Sequence, residues 1–251
     1  MRIAVAGGTG AVGRHVVDVA RERGHDAVVL TRSNGVDLVA AHGLAAALAG
    51  VDAVIDVASV QTVSSKAARD FFGAVTRHLL AAEEAAGVRH HVALSIVGVD
   101  DASYGYYAGK LLQEQLVEAG RVPWTLLRAT QFHEFASQIF ERMKVGPVVT
   151  VPAMRSQPVA AREVGERLVD LAEGAPAGRV RDLAGPHEER MSDVVRRWAK
   201  AVGRPGWVVE MPVPGGFGRA MRDGTLLPRP GAVLGRQTFD EWLASVAHRG
   251  Q

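Results

Sequence analysis

The chain has 251 residues, no cysteine and a formal net charge of +2 at pH 7. Its apolar fraction of 47% and charged fraction of 22% are ordinary for a folded protein and exclude general disorder. The missing cysteine excludes disulfides, thiolate metal sites and cysteine nucleophiles, and so small a net charge predicts no nucleic-acid partner. The missing cysteine fits a reducing compartment, so we expect a cytoplasmic protein. Since no apolar run approaches the roughly 18 residues of a membrane helix, we expect no membrane partner.

Up to about residue 130, short β-branched segments alternate with longer helical patterns. Strands are predicted at Arg2–Ala6, Ala27–Thr31, Ala53–Val57, His91–Ile96 and Trp124–Arg128. Helices are predicted between them at Val12–Arg23, Leu38–Ala49, Ser65–Ala86 and Tyr104–Ala119. Strands that alternate with helices of this length build βαβ units, and continuously apolar strands are covered on both faces. This half of the chain therefore predicts an α/β fold with a doubly wound, mainly parallel sheet.

After Arg128 the pattern changes, because proline and glycine become frequent and the elements shorten. Helices are predicted at Arg162–Glu173, Ser192–Val202 and Thr238–His248, and a strand at Val180–Ala184. Residues 203–236 contain five prolines and eight glycines and are expected to be mostly loop. We predict a core at residues 1–130 and a small, discontinuous substrate-side lobe at residues 131–251, whose elements return to the core in a single structural unit.

A glycine-rich turn follows the first strand and opens the first helix. With a strand before it, a helix after it and a second strand beyond, it has the context of a Rossmann dinucleotide-binding turn. Gly7 allows the tight turn, Gly10 lets the backbone approach a pyrophosphate, and Gly13 lets the helix pack closely against the sheet. The residues predicted to contact the cofactor here are Gly7, Thr9, Gly10, Ala11, Val12 and Gly13.

Two alternatives exist for this turn. The spacing from Gly8 to Gly13 fits a P-loop, but Arg14 and His15 stand where a lysine and a serine or threonine grip phosphate and Mg²⁺. A purely structural glycine turn is the other alternative, and the complete βαβ context weighs against it.

The end of the second strand bears on the choice of dinucleotide. NAD sites usually present an acid there, whereas NADP sites need a nearby cation. This chain has Thr31-Arg32-Ser33 and no acid before Asp37. Arg32 is a bidentate partner for a 2′-phosphate and Ser33 is a hydrogen-bond donor, so we predict NADP. The alternative is that Arg32 is a solvated loop residue.

Tyr106 and Lys110 are four residues apart at the start of the fourth helix, so both side chains project from one face. A lysine ammonium beside a phenol lowers the pKa of the phenol, which makes a proton donor and acceptor for carbonyl chemistry. Ser95 ends the fourth strand, where its hydroxyl can orient a substrate oxygen. We predict that Tyr106, Lys110 and Ser95 are the catalytic residues.

These motifs together resemble the short-chain dehydrogenases/reductases, because the chain combines GxxGxxG, a serine ending the fourth strand and YxxxK opening the next helix. The stretches Leu127–Phe135, Pro158–Ala172 and Arg181–Arg204 are similar to the NmrA-like, NAD(P)H-binding atypical group. The resemblance implies that Arg32 holds the 2′-phosphate and that Lys110 binds the nicotinamide ribose. It further implies adenine contacts from Asp37 and Leu38, a nicotinamide-side border at Ala58, Ser59 and Val60, and backbone contacts at Ala129–Phe132.

The chain departs from the family pattern at one position. The short-chain mechanism uses an asparagine on the third helix as a proton relay, whereas the single asparagine here is Asn34, in a loop after the second strand. A relay would therefore run differently in this chain. The residues predicted to wall an apolar substrate pocket are Tyr107, Gln131, Phe132, His133, Phe135 and Met154.

Other signals are interpreted as structural. The nine histidines form no HExxH or comparable helical pair, and the neighbours His90 and His91 face opposite ways in a strand, so no metal site is predicted. The basic residues Arg196, Arg197, Lys200 and Arg204 read as a solvated helix face. The glycine run at residues 215–218 is a mobile flap or a plain loop.

The sequence therefore predicts an NADP(H)-dependent oxidoreductase that reduces a small apolar carbonyl or quinone-like substrate by hydride transfer. The alternative is a non-catalytic NADP(H)-sensing protein that acts through protein contacts, because the fold by itself implies no chemistry.

Overall fold

The computed structural model describes residues 1–102, 104–204 and 206–247. The chain divides into two compact units, Met1–Arg128 with Arg162–Arg181, and Ala129–Ala161 with Asp182–Gln251. Within the described part of the chain, no helix is both long enough and apolar enough to cross a membrane.

The strands, in chain order, are β1 (Arg2–Ala6), β2 (Asp26–Leu30), β3 (Ala53–Asp56), β4 (His90–Ile96), β5 (Trp124–Ala129), β6 (Lys144–Val145), β7 (Val148–Pro152), β8 (Arg155–Ser156), β9 (Gly178–Arg179), β10 (Leu183–Ala184), β11 (Glu189–Arg190), β12 (Trp207–Met211) and β13 (Val233–Leu234). The helices are α1 (Gly13–Glu22), α2 (Leu44–Ala47), α3 (Ser65–Ala86), α4 (Tyr106–Ala119), α5 (Phe135–Met143), α6 (Ala161–Glu173), α7 (Met191–Ala201), α8 (Gly215–Asp223) and α9 (Phe239–Ala247).

The sheet of the first unit has the order β5-β4-β3-β1-β2, with β9 paired to the start of β5. The β1–β2, β1–β3 and β3–β4 pairs are parallel, which confirms the predicted doubly wound α/β fold. The chain leaves β2, passes β1 and continues on the other side at β3, so the strand order reverses between β1 and β3. In open α/β sheets, ligands bind at such a switch point, outside the carboxyl ends of the strands.

Arg162–Arg181 belongs to the first unit although it lies beyond residue 130. Helix α6 packs closely on α1, because a side chain at Gly165 would lie 3.1 Å from the backbone of His15. Arg162 also pairs with Glu22, and Arg23 with Asp170 and Glu173.

The predicted helix at Leu38–Ala49 is wrong for most of its length, since only Leu44–Ala47 is helical. Asp37 pairs with His42 in an antiparallel bridge, and its carboxylate accepts the N–H groups of Val39 and Ala40. This local turn satisfies the backbone groups that a longer helix would have used.

The second unit holds a small sheet in which β7 pairs antiparallel with β6 and parallel with β12. The antiparallel pair β8–β11 and the parallel pair β10–β13 also lie in the second unit, but not in this small sheet. Leu183 of β10 pairs with Ala129. Phe140 on α5 and Trp198 on α7 pack with ring centroids 5.1 Å apart.

Three predictions for this half are corrected. Only Leu183–Ala184 (β10) of the expected strand at Val180–Ala184 is a strand, and β9 lies before that range. The expected loop at residues 203–236 contains β12, α8 and β13. The glycine run at 215–218 opens helix α8, where a side chain at Gly218 would collide with the carbonyl of Val213. Helix α9 is present, and His248 of its predicted range lies outside the described residues.

Gly109 sets the approach of α4 to α3. A Cβ at this position would lie 2.6 Å from Cδ2 of Phe72 and 2.7 Å from the carbonyl of Ala68. Helix α4 therefore presses its backbone against α3, and this contact positions the Tyr106 and Lys110 face.

We expect Gly109→Ala to lower the free energy of unfolding by about 1–3 kcal/mol, because overpacking forces backbone shifts. Chemical denaturation measures the effect. Gly174→Ala is the control, since its Cβ would have nearest contacts of 3.5 and 3.6 Å, and its change should stay within about 0.5 kcal/mol. Equal stabilities of the two variants would contradict the close-packing argument.

His90 and His91 face opposite sides of the sheet, as predicted. His90 Nε2 lies 2.8 Å from Thr125 Oγ1, whereas His91 Nδ1 lies 2.9 Å from both carboxylate oxygens of Glu83. Burial by itself lowers the pKa of His91, but the Glu83 carboxylate outweighs burial, and the pKa lies above the ordinary value of 6.5.

A histidine with a raised pKa adds stability that is complete below the unfolded pKa and is lost as pH rises through the folded pKa. We therefore expect the stability difference between wild type and Glu83→Gln to be largest below about pH 6.5 and to shrink at higher pH. Urea denaturation from pH 6 to 9 measures it, with the exposed neighbour Glu84→Gln as control. A difference that does not vary with pH would show that the pair carries no such linkage.

Candidate functional site

The glycine turn closes against the end of β3. Gly7 has φ +80, and a Cβ there would lie 2.8 Å from the Cα of Ala58. Gly10 N–H donates to the Gly7 carbonyl over 2.9 Å, and a Cβ at Gly13 would collide with that same carbonyl. Gly13 thus packs the start of α1 against the turn itself. The backbone of residues 7–13 therefore forms a concave surface, here called the cradle, which side chains at the glycine positions would fill.

A cleft of about 470 Å³ opens beside this cradle, at the switch point of the sheet between β1 and β3. Its walls come from the carboxyl ends of β1, β2 and β3 and from α3. The lining residues are Gly7, Thr9, Leu30, Thr31, Arg32, Val36, Asp37, Leu38, Val39, Ala58, Ser59 and Phe71.

The predicted cofactor residues divide into two groups around this cleft. Gly7, Thr9, Arg32, Asp37, Leu38, Ala58 and Ser59 line it directly. Gly10, Ala11, Val12, Gly13, Ser33 and Val60 do not line it. Val12 is buried, so only its backbone is available, and the amino-terminal end of the α1 dipole favours an anion. The cradle and the cleft fit a dinucleotide with its pyrophosphate on the turn.

Arg32 lies exposed at the end of β2, in a single 3-10 turn at Arg32–Asn34. Two backbone hydrogen bonds, from Ala40 and Val39, hold the pKa of Asp37 below its usual range, and the charge of Arg32 lowers it further. One oxygen of the Asp37 carboxylate is thus committed to its own loop. Thr31 and Ser33 hydroxyls are 2.9 Å apart beside the guanidinium.

Tyr106 opens α4 and its hydroxyl lies 3.1 Å from Ser59 Oγ, on the cleft wall. Its ring packs edge-on against Phe72, with centroids 5.3 Å apart. Burial raises the pKa of Tyr106 to about 12, although the hydrogen bond with Ser59 opposes the rise. The expected lowering of this pKa by Lys110 is therefore wrong in this structure.

The Lys110 side chain is buried inside the first unit. Its Nζ donates to the Leu94 carbonyl over 2.7 Å and to Gln113 Oε1 over 2.8 Å, and lies 4.6 Å from the centre of the Phe72 ring. Burial lowers the pKa of Lys110 to about 8, while Asp56 and Glu114 oppose the shift. Both Tyr106 and Lys110 contact Phe72, but the ammonium is committed to the end of β4.

Ser95, the third predicted catalytic residue, lies in β4 directly after Leu94. It is 4% exposed, and its hydroxyl has no hydrogen-bond partner among the residues that the structure describes. The structure brings Ser59, not Ser95, to the Tyr106 hydroxyl. Tyr107 is buried on the other side of α4.

The other predicted pocket residues belong to the second unit. His133 is fully buried, with its ring near Phe239 and Trp242 and its Nε2 3.2 Å from the Gln237 carbonyl. Burial lowers the pKa of His133 to about 4, so the ring is a neutral core group rather than a cavity wall. Gln131 is buried beside it, and neither amide atom has a partner within the described residues.

Phe132 is half-buried and forms a parallel bridge with Val159, and Phe135 opens α5. Met154 lines a cleft of about 400 Å³ within the second unit. The walls of this cleft are charged rather than apolar, since they include three arginines and two glutamates. The lining residues are Ala153, Met154, Arg155, Glu188, Arg190, Glu210 and Arg222.

Two buried polar residues of the first unit are absent from the sequence-based predictions. Asp56 ends β3, and Gln113 lies one helical turn after Lys110. Their amide and carboxylate are 2.7 Å apart. The sequence did offer a signal for Asp56, because an aspartate at the end of an otherwise apolar strand is unusual. It offered none for Gln113, because α4 contains both polar and apolar residues.

A sequence profile of the NAD(P)H-binding family matches residues 7–172, from the first glycine of the turn to the end of α6. The chain belongs to this family. Its predicted resemblance to the NmrA-like, atypical short-chain dehydrogenases/reductases is confirmed, and the family is of the reductase type.

The chain is 30% identical over 221 residues to (4-alkanoyl-5-oxo-2,5-dihydrofuran-3-yl)methyl phosphate reductase of Streptomyces griseus, covering 81% of this chain and 74% of that protein. It is 32% identical over 111 residues to the photosystem II assembly factor Ycf39 of Synechocystis, covering 39% and 34%. A solved short-chain dehydrogenase/reductase superfamily protein from Agrobacterium tumefaciens, with bound NAD, has a TM-score of 0.70 at 21% identity, covering 100% and 98%. This last likeness shows the fold alone.

Proposed function

We propose that this protein is an NADP(H)-dependent oxidoreductase that reduces a small carbonyl or quinone-like compound, largely apolar around the reacting group. The carrying observation is the Tyr106 hydroxyl, which lies 3.1 Å from Ser59 on the wall of the glycine-turn cleft. It supplies a proton donor at the place where a nicotinamide cofactor would meet its substrate.

The protonation state of the phenol suits a proton donor. With its pKa raised to about 12, Tyr106 is a neutral phenol at pH 7 and gives its proton to a developing alkoxide, which is the stronger base. The cofactor, when bound, supplies the hydride. Ser59 accepts a hydrogen bond from Tyr106 or donates one to it, and so orients the hydroxyl.

The preference for NADP rests on charge. Arg32 presents a guanidinium at the cleft wall, and one oxygen of the nearest acid, Asp37, is engaged by the backbone of its own loop. A guanidinium suits a 2′-phosphate through paired hydrogen bonds. The resemblance to the short-chain family gives Arg32 the same role.

The reductase relative supports the substrate class, because its name describes an oxo-dihydrofuran phosphate. The phosphate in that name is the reason to include phosphorylated carbonyl compounds among the candidates. A second candidate function is non-catalytic NADP(H) sensing, which is favoured by the position of Lys110 on the Leu94 carbonyl rather than beside the Tyr106 hydroxyl.

We expect Arg32→Ala to weaken NADPH binding by about 10- to 100-fold and to leave NADH binding nearly unchanged, since hydrogen bonds to a charged group are lost. Titration of both cofactors by nicotinamide fluorescence measures the two Kd values. Arg69→Ala, an exposed arginine on α3 outside the cleft, is the matched control. An unchanged NADPH Kd in Arg32→Ala would mean that Arg32 does not touch the phosphate.

We expect Tyr106→Phe to lower kcat by about 10²–10⁴-fold on a ketone or aldehyde, because the proton donor is lost, with little change in NADPH Kd. The assay follows NADPH absorbance with ketones, aldehydes, quinones and dihydrofuranones, free and phosphorylated. The exposed Tyr104→Phe is the control.

Wild-type speed of Tyr106→Phe on a carbonyl substrate would refute the assigned proton donor, while quinone reduction would survive that result because it needs less help from an acid. Similar binding of oxidised and reduced cofactor, no turnover of any compound and capture of a protein partner would favour the sensing function.

A further inference from the structure

A buried chain of polar groups joins the end of β3 to helix α4. Gln113 Nε2 donates to Asp56 Oδ2 over 2.7 Å, and Gln113 Oε1 accepts from Lys110 Nζ over 2.8 Å. Asp56, Gln113 and Lys110 are all at least nine-tenths buried. The amide therefore connects a carboxylate to an ammonium, with its donor towards the anion and its acceptor towards the cation.

Lys110 needs a compensating charge, because an isolated buried ammonium is costly. Its direct contacts, the Leu94 carbonyl on β4, the Gln113 amide on its own helix and the Phe72 ring on α3, carry no formal charge. The charged groups that act on Lys110 are the carboxylates of Asp56 and Glu114.

Glu114 is already matched by other cations. Its carboxylate accepts from Arg128 Nε over 2.9 Å and Nη2 over 2.6 Å, and from Arg179 over 3.1 Å. Asp56 accepts from the Gln113 amide and from the Ala58 N–H, both of which are neutral groups. Its charge also acts on His91, but His91 is paired directly with Glu83. The Asp56 carboxylate is thus available to balance Lys110.

We propose that Asp56 is the counter-charge of Lys110, acting through the oriented amide of Gln113, and that both are positioning residues for the reductase proposed above. They hold the ammonium at the end of β4.

Asp56 acts on the cleft wall as well. Its second oxygen accepts the Ala58 N–H over 2.9 Å, and the next residue, Ser59, lies 3.1 Å from the Tyr106 hydroxyl. Tyr106 and Lys110 both lie on α4. The contacts therefore connect Asp56 to α4 by two routes, one through Ala58 and Ser59 to Tyr106 and one through Gln113 to Lys110. The Asp56 carboxylate thus positions Lys110 through Gln113, and it also positions the backbone next to Ser59, the hydrogen-bond partner of Tyr106.

The test uses the ammonium signals of the full chain labelled with ¹⁵N-lysine, followed by NMR as pH rises. The chain has four lysines, and Lys110→Met identifies the Lys110 signal by its absence. A buried, hydrogen-bonded ammonium exchanges slowly with water and gives a signal, which in wild type should persist to about pH 8.

We expect Asp56→Asn to lower the midpoint of this titration by at least about one pH unit, the shift typical of losing a nearby opposite charge. Gln113→Leu, similar in volume, should do the same by breaking the amide link. Gln115→Leu, an exposed glutamine on the same helix, should leave the midpoint unchanged. In the active enzyme, the pH dependence of kcat should move with the ammonium midpoint.

An unchanged midpoint in Asp56→Asn and Gln113→Leu would overturn the inference, whatever the reductase assay yields. If Asp56→Asn does not fold, Gln113→Leu decides the question alone. A lowered midpoint in a protein that binds NADPH but reduces none of the compounds screened would support the charge pairing and refute the reductase function.

Discussion

The contact between Gly7 and the backbone of Ala58 is the constraint on which the rest of the site depends. A side chain at Gly7 would meet the Ala58 backbone at 2.8 Å, so the ends of β1 and β3 approach this closely only because the residue is glycine. The approach closes the cradle of the turn and holds Ser59 on the cleft wall, where it reaches Tyr106. The glycine at position 7, after β1, thereby positions the side chain of Ser59, which follows β3.

Helix α4 carries two polar systems with different partners. Lys110 donates to Gln113, which reaches Asp56, whereas Glu114 accepts from Arg128 and Arg179. Glu114 thus has direct cationic partners, whereas Lys110 is connected to the Asp56 carboxylate through the Gln113 amide. Such groups are tolerated in an interior only when every one is hydrogen-bonded or matched. As a consequence, the Lys110 ammonium bonds to Leu94 and Gln113 and not to the Tyr106 hydroxyl on the same helix.

Much of the first unit was predictable, because its signals are local. The strand ends, the glycine turn and helices α1, α3 and α4 came within one or two residues of their observed bounds, since apolar periodicity and capping act over a few residues. The predicted helix at Leu38–Ala49 failed because Asp37 competes for the backbone N–H groups, and the region after residue 203 failed because glycine and proline frequency hides short strands. Arg32, Asp37 and Ser59 reached the predicted cleft, whereas Ser95 did not reach Tyr106.

The sequence by itself determined the order of strands and helices from β1 to β5, the glycine turn, the family and the shared face of Tyr106 and Lys110. These properties depend on neighbours within about one or two turns of chain. Only the tertiary structure decided that Lys110 faces Gln113 and Asp56, that Ser59 is the partner of Tyr106, and that His133 is a core residue. The physical reason is that hydrogen-bond partners and burial follow from how distant segments pack, which local periodicity does not contain.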